Sequence, residues 1–148
     1  MTIRSQGRNY FQPPLPAVRA LLRQARLPAE DLSDAHVAHF IACGSEEALE
    51  GIVGLELYPP YALLRSLAVA PLARGGGMGA DLVIQAERHA GEHGACEIYL
   101  LTTTAERFFA RAGYEPVPRS AAPSAIRQTS EFATICPSSA ALMRKRLA

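Results

Sequence analysis

LLRSLAVAPLARGGGMGADLV, residues 63–83, is the stretch that decides the fold of this chain. Its apolar first part predicts a β-strand that ends at Pro71, because proline cannot donate to a strand ladder. After Gly79 the apolar residues recur every three or four positions, which predicts one face of a helix. The sequence therefore predicts a strand, a glycine loop and a helix in succession.

The glycine loop suits a phosphate ligand. Glycines allow close approach of backbone N–H groups, and the first turn of a helix favours an anion. Arg74 adds a positive charge whose donors match phosphate geometry. No Gly-Lys-Ser/Thr follows, which excludes a P-loop, and neither the glycine spacing nor the position of Glu97 fits a dinucleotide site. A glycine turn without a ligand stays open as the alternative.

The composition is that of an ordinary globular chain. Its 148 residues predict one domain over residues 1–148, and 49% are hydrophobic, 20% charged, with a net charge of +1. A net charge this close to zero gives no indication that the partner is nucleic acid or an anionic membrane. The absence of a long apolar run or a basic leader predicts a cytoplasmic protein. Three cysteines without a Cys-x-x-Cys pair indicate neither a disulfide framework nor a zinc site.

Before the glycine loop, the pattern predicts a helix followed by an antiparallel meander. A short first strand over residues 2–12 and a helix after Pro16 are expected first. Strands over 35–43, 49–58 and 62–70 follow, joined by tight turns. The spacing of His36 and His39 puts them on opposite faces of a strand, so no shared metal is expected.

After the loop, the helix from Gly77 is expected to run to about His93. A strand over 96–102 would then lie parallel to the strand over 62–70, since the two flank one helix. A helix over 105–112, a strand from Tyr114 and a short helix over 123–132 are expected next. The last segment, from Ala141, has the composition of a helix and imperfect alternation.

Two motifs resemble those of the GCN5-related N-acetyltransferases. Arg74, Gly77 and Gly79 form Arg-x-x-Gly-x-Gly behind Leu-Ala-Val, which resembles that family's acetyl-coenzyme A loop. A second family run, Ala-x-x-Phe-Tyr-x-x-x-Gly-Phe, is matched at Ala105, Phe108, Phe109, Gly113 and Tyr114. Phe109 stands where the family often has a tyrosine that protonates the leaving thiolate, and a phenyl ring cannot donate a proton.

The resemblance implies an α/β (α+β) fold of the family type. It has a mixed, mostly antiparallel sheet of six or seven strands, about four helices and a central βαβ unit that carries the cofactor loop. It also favours a strand for the last segment. Acetyl-coenzyme A is the implied co-substrate, with no metal, and its implied binding residues are Leu67, Ala68, Val69, Arg74, Gly75, Gly76, Gly77, Met78, Gly79, Ala80 and Phe109.

The whole chain also resembles a small acetyltransferase subfamily encoded beside arsenic-resistance genes. The runs that carry this likeness are Gly54-Leu55-Glu56, residues 62–69, residues 100–106, Ala122-Pro123, Glu131-Phe132 and Cys136-Pro137-Ser138. The implied acceptor is the amine of a small molecule, such as an amino acid or an arsenical or phosphonate-like amino acid. The only protein partner expected is a second copy of this chain, in a homodimer.

The acceptor side rests on fewer residues. Glu56, in an apolar run beside the cofactor strand, is the candidate general base, because an amine attacks only when neutral. The alternative is that Glu56 faces solvent or pairs with Arg65. Candidates for binding the substrate are Arg65, Arg119, Arg127 and Cys136. Since Phe109 removes the usual acid, a non-catalytic acetyl-coenzyme A sensor or metalloid-binding accessory protein remains the alternative function.

Overall fold

The structure is a computed structural model that describes residues 8–147. Within this range the helices are α1 (Leu15–Gln24), α2 (Asp34–Val37), α3 (Met78–Glu92), α4 (Glu106–Arg111) and α5 (Ser124–Arg127). The strands are β1 (Phe40–Gly44), β2 (Leu49–Tyr58), β3 (Tyr61–Val69), β4 (Glu97–Thr102), β5 (Glu115–Val117) and β6 (Ala141–Arg146). Short 3-10 turns occupy Pro71–Ala73 and Arg119–Ala121, and a π-helical turn occupies Glu131–Ile135.

The six strands form one mixed sheet in the order β1-β2-β3-β4-β6-β5. β1 pairs antiparallel with β2, and β6 pairs antiparallel with β4 and with β5. β3 and β4, which flank α3, are parallel. The predicted α/β fold with a mostly antiparallel sheet and a central βαβ unit is confirmed, and the last segment is a strand.

The chain forms two compact units. The first unit contains the described residues up to Leu55 together with Ser66–Ala86, and the second contains Glu56–Arg65 and the described residues from Glu87 onward. The glycine loop and its helix start belong to the first unit. The single domain expected from chain length stays a prediction.

Apolar packing between α1 and the start of the sheet forms the core of the first unit. The buried face of α1 consists of Val18, Leu21 and Leu22, as its periodicity predicts. These side chains cluster with Phe40 and Ile52 of the hairpin. Aromatic packing also explains Gly54, because a Cβ there would overlap the ring of Phe40.

Gly51 of β2 determines how closely the first turn of α3 approaches the sheet. A Cβ at this position would lie 2.7 Å from Sδ of Met78 and 2.9 Å from Cδ1 of Leu82. Any larger residue would push these two side chains away from the strand. Gly51 thereby helps to set the position of the glycine loop that precedes α3.

The tail after β4 contributes directly to the core of the second unit. Leu63 and Tyr99 pack with Ile126 of α5 and Leu142 of β6, all of them buried. Phe132 and Val117 pack against this cluster. The tail is therefore an integral part of this unit's hydrophobic core.

The structure corrects the sequence prediction in three places. The strand predicted over 35–43 is α2 followed by β1, because Ser33 starts a helical turn and its N–H donates to Nδ1 of His36 at 3.2 Å. The argument that His36 and His39 point to opposite faces of a strand is therefore wrong. The helix predicted over 123–132 is α5 followed by a separate π-helical turn.

Of the predicted first strand, residues 2–7 lie outside the described residues. Within the described part, Phe11 forms an isolated antiparallel bridge with Ala42. Across residues 8–147, no helix combines the length and apolar character needed to cross a bilayer.

Candidate active site

The glycine loop leads from the end of β3 into α3. Gly75 and Gly77 have φ angles of 90° and 80°, which side chains other than glycine rarely adopt. The carbonyl of Gly77 accepts a hydrogen bond from the N–H of Asp81 at 3.1 Å. Because this is the first i→i+4 bond of α3, the N–H groups of residues 78–80 have no acceptor within the helix. They form a set of backbone donors suited to an anion.

The predicted cofactor residues differ in exposure. Gly75, Gly76, Gly77 and Ala80 are exposed, whereas Gly79 is half-buried. Met78 is buried, so its side chain anchors α3. On β3, Ala68 is buried between the half-buried Leu67 and Val69. The loop thus presents backbone atoms to its surroundings and directs its one bulky side chain inward.

Two arginines hold this loop in the first unit. The exposed Arg74 donates from Nε to the carbonyl of Val69 at 3.0 Å, across the turn that ends β3. Arg8 forms a salt bridge from Nη1 to Asp81 and donates from Nη2 to the carbonyl of Gly76 at 2.6 Å. Sequence reasoning missed Arg8, because no local pattern relates it to a loop more than sixty residues away.

Ser66 interrupts the regular geometry of β3. Its φ angle is 60°, in the left-handed region, although it is not a glycine. The parallel register of β3 with β4 covers Tyr61 to Leu63, so the irregular residue lies beyond the part of β3 that pairs with β4. An unusual backbone angle inside a strand is typical of a bulge beside a functional site.

Glu56 lies in a cluster of hydrogen-bonding side chains in the second unit. Its Oε2 accepts from Nη1 of Arg65 at 2.7 Å, and its Oε1 accepts from the hydroxyl of Tyr58 at 2.5 Å. The Arg65 side chain is 0% exposed and that of Glu56 is 7% exposed. The structure therefore brings Glu56 and Arg65 together, which was the alternative interpretation of Glu56. Tyr58 could have been found from the sequence, since residues two apart on a strand share a face.

Cys136, Arg119 and Glu131 are also near one another in the second unit. The Cys136 thiol lies 3.6 Å from Oε2 of the buried Glu131. Burial and the Glu131 carboxylate raise the pKa of this thiol to about 12, although Arg65 and Arg119 lower it. Arg119 donates to the carbonyl of Ala140 at 2.9 Å. At neutral pH the Cys136 thiol stays protonated and is therefore a poor nucleophile and metal ligand.

Arg127 differs from the other three candidates for substrate binding. It lies exposed in α5. Arg65 and Arg119 are close enough to Cys136 to lower the pKa of its thiol. Arg127 is an exposed residue on a separate helical turn.

The order of elements and the sheet topology are those expected for one protein family. In that order, a strand leads through a glycine loop into a helix, and a strand parallel to the first follows. The sequence profile of the acetyltransferase (GNAT) domain matches residues 35–116, more than half of the chain. The chain belongs to this family. The glycine loop and the run from Ala105 to Tyr114 both lie within the matched range.

Solved structures share the fold of this GNAT domain. N-acetylglutamate synthase from Neisseria gonorrhoeae, complexed with coenzyme A and N-acetyl-glutamate, has a TM-score of 0.82 and 20% identity over 95% of this chain. The match covers 35% of that enzyme, so the chain spans about a third of its length. Rv2747 from Mycobacterium tuberculosis, in complex with CoA and NLQ, has a TM-score of 0.77 and 17% identity, covering 95% of this chain and 99% of that one.

The PaiA N-acetyltransferase from Thermoplasma acidophilum, in complex with coenzyme A, is more distant. Its TM-score is 0.65 at 15% identity, and the match covers 95% of this chain and 99% of that one. No curated protein sequence matches the chain significantly. Likeness at these identities establishes the fold, which agrees with the family assignment.

Phe109 lies at the position where the resemblance predicts the family's tyrosine. It is 5% exposed and packs edge to face against Phe108 and Tyr114, with ring centroids 5.0 and 5.7 Å apart. The Phe109 ring is held in an aromatic cluster of the second unit and has no proton to donate. Its role in cofactor binding stays a prediction.

Proposed function

We propose that this GNAT domain transfers the acetyl group of acetyl-coenzyme A to the amine of an amino acid or a closely related small molecule. The observation that carries the proposal is the exposed loop with left-handed Gly75 and Gly77 at the start of α3. In a GNAT chain, this loop is the site expected to bind the pyrophosphate of the co-substrate.

The donor side of the proposal uses the first unit. Backbone N–H groups from Gly75 to Ala80 bind the pyrophosphate, and the exposed Arg74 adds positive charge. The pantetheine arm hydrogen-bonds to the backbone of residues 67–69 as an additional strand would. The left-handed φ angle of Ser66, next to this segment, supports the idea, because it changes the direction of the backbone groups that the strand presents.

The acceptor class is proposed as amino acids. Support comes from one structural neighbour, the N-acetylglutamate synthase from Neisseria gonorrhoeae, whose two solved complexes with coenzyme A contain N-acetyl-glutamate and L-arginine. Arg119 and Arg127 are the arginines proposed to bind an acidic group of the acceptor, because guanidinium groups match carboxylate, phosphonate and arsonate oxygens. An acceptor that carries an arsonate or phosphonate group, with a place in arsenic resistance, is the narrower form of the proposal.

In the proposed reaction a neutral amine attacks the thioester carbonyl, the C–N bond forms and the C–S bond breaks. Glu56 takes up the proton that the amine loses. Both of its oxygens already accept hydrogen bonds, so Tyr58 relays the proton: its hydroxyl receives one and gives its own to Oε1 of Glu56. With a phenylalanine at position 109, coenzyme A leaves as the thiolate or takes a proton from water.

The first test measures thiol release from acetyl-coenzyme A over a panel of amino acids, polyamines, and phosphonate- and arsonate-bearing amino acids. We expect turnover with an amino acid and binding of coenzyme A by calorimetry. Coenzyme A binding without turnover on any amine would favour the sensor. Turnover confined to ordinary amino acids would refute the arsenical form only.

A second test examines Glu56 and Tyr58. Glu56→Gln should lower kcat about 100-fold at pH 7, and Tyr58→Phe about tenfold, because both interrupt proton uptake. The matched control is Glu115→Gln, which alters an exposed pair with Arg144 and should leave kcat unchanged. Each variant is first checked for folding, since Glu56→Gln leaves Arg65 buried beside a neutral partner. An unchanged pH–rate profile in folded Glu56→Gln would remove Glu56 from the mechanism.

A further inference from the structure

We propose that Arg8 is a positioning residue that holds the glycine loop in its binding conformation before coenzyme A arrives. The proposal rests on the proposed function of the loop. Its basis is the two-sided contact of one guanidinium: Nη1 pairs with Asp81, and Nη2 donates to the carbonyl of Gly76 at 2.6 Å. A planar guanidinium can satisfy both acceptors at once, which fixes their separation.

The bond to Gly76 orients the next backbone donor. In a planar trans peptide, the carbonyl of Gly76 and the N–H of Gly77 point in opposite directions. Holding the carbonyl on Arg8 therefore turns the Gly77 N–H away from the guanidinium. Without this bond the peptide would rotate more freely, because glycines flank it and the loop is exposed.

The bond to Asp81 removes an electrostatic conflict. Asp81 lies in the first turn of α3, where a negative side chain competes with an anionic ligand for the same positive helix end. Arg8 neutralises this carboxylate in a part-buried setting, with side-chain exposures of 17% for Arg8 and 11% for Asp81. The helix start thus keeps its attraction for a phosphate although an aspartate lies within it.

Arg8 supplies a positive charge to Asp81, and other titratable side chains lie near this pair. Glu50 is close enough to Cys43 to raise the pKa of its thiol. Tyr10 and Cys43 also lie near the pair, and burial raises the pKa of both, that of Cys43 to about 11. Both are therefore neutral at physiological pH. Residues 8–11 also connect to the sheet through the bridge of Phe11 with Ala42, which gives the Arg8 backbone a fixed attachment in the first unit.

Removing the Arg8 guanidinium should weaken the binding of coenzyme A and leave the rate of acetyl transfer at saturation nearly unchanged. Arg8→Met should raise the Kd for coenzyme A about tenfold in calorimetry, since the loop is then no longer preorganised and must be ordered when coenzyme A binds. kcat at saturating acetyl-coenzyme A should change less than about twofold. Arg8→Lys keeps the positive charge but lacks the planar pair of donors that contacts Asp81 and Gly76 together. Its Kd for coenzyme A should lie between those of wild type and Arg8→Met.

The double variant Arg8→Met/Asp81→Asn should regain part of the lost affinity, because it removes the unpaired carboxylate. Arg23→Met, on the exposed side of α1, is the matched control and should bind as wild type does. Hydrogen exchange of the loop amides without ligand should speed up in Arg8→Met. Wild-type affinity and wild-type exchange in this variant would overturn the proposal, whereas a wild-type protein that does not bind coenzyme A would instead refute the proposed function.

Discussion

The glycine loop of the first unit and the Glu56–Arg65 pair of the second unit are built by opposite means. The loop is exposed and uses backbone groups, with glycines where side chains would be strained. The pair is buried and uses charged side chains that satisfy each other. A site made of backbone depends on a short local motif, whereas a site made of paired side chains depends on which segments meet.

This difference extends to stability. A left-handed glycine adopts its φ angle without strain, so this part of the loop needs no buried charge. A buried arginine is tolerated only because a carboxylate lies against it, and removing either partner leaves an uncompensated charge. The second unit should therefore be the more sensitive of the two to a single substitution.

The largest effect on stability is expected for Arg65→Met. This change leaves Glu56 buried without its ion-pair partner and should lower the free energy of unfolding by about 3–5 kcal/mol. Urea unfolding measures the loss. The control Arg127→Met removes an exposed arginine and should alter stability by less than about 0.5 kcal/mol. Adding Glu56→Gln to Arg65→Met should recover part of the loss, and equal stability of wild type and Arg65→Met would show that the pair is unimportant in solution.

The next effect concerns binding at the loop. Gly77→Glu puts a negative side chain and a strained φ angle into the proposed phosphate site, so the Kd for coenzyme A should rise at least about 100-fold. Gly91→Glu is the control, because a Cβ at this exposed glycine in α3 meets nothing within 4 Å. It should bind coenzyme A as wild type does. Unchanged affinity in folded Gly77→Glu would refute the assignment of the loop.

The smallest effect is a dependence of stability on alkaline pH. The pKa of Cys43 is raised from 9.0 to about 11 and that of Cys136 from 9.0 to about 12, chiefly by burial. Above pH 9 the unfolded chain releases these protons first, so it binds fewer protons than the folded chain and stability falls as pH rises. Urea unfolding from pH 7 to pH 10 should show this decline, and Cys43→Ala/Cys136→Ala should show a shallower one.

The exposed Cys96 supplies the control for this pH series. Cys96→Ser should keep the slope of wild type, because it leaves the thiols of Cys43 and Cys136 in place. A wild-type slope in the double alanine variant would show that other groups cause the alkaline loss.

The sequence predicted most of the fold, and the roles it assigned to the site residues stay predictions. β3, α3 and the parallel strand β4 could be predicted because apolar runs form these elements and glycines end them, and both signals act over a few residues. The wrong prediction of a strand at residues 34–37 has a local cause as well. Ser33 caps the start of a helical turn, and this cap determines the local structure although the apolar residues suggested a strand. In the tail, the helix expected over 123–132 divides into two turns where Ile126 and Phe132 pack with the second core.

By itself the sequence determined the strand, the glycine loop and the helix that follows, because these depend on dihedral preferences and local periodicity. The match of residues 35–116 to the GNAT sequence profile determined the family. The tertiary structure alone decided that Arg8 reaches Gly76 and Asp81, that Tyr58 and Arg65 both bind Glu56, and that Cys136 lies against Glu131. These contacts pair ordinary polar residues whose types carry no signal of their own. Burial strengthens the contacts of Glu56 and of Glu131, and burial exists only once the chain has folded.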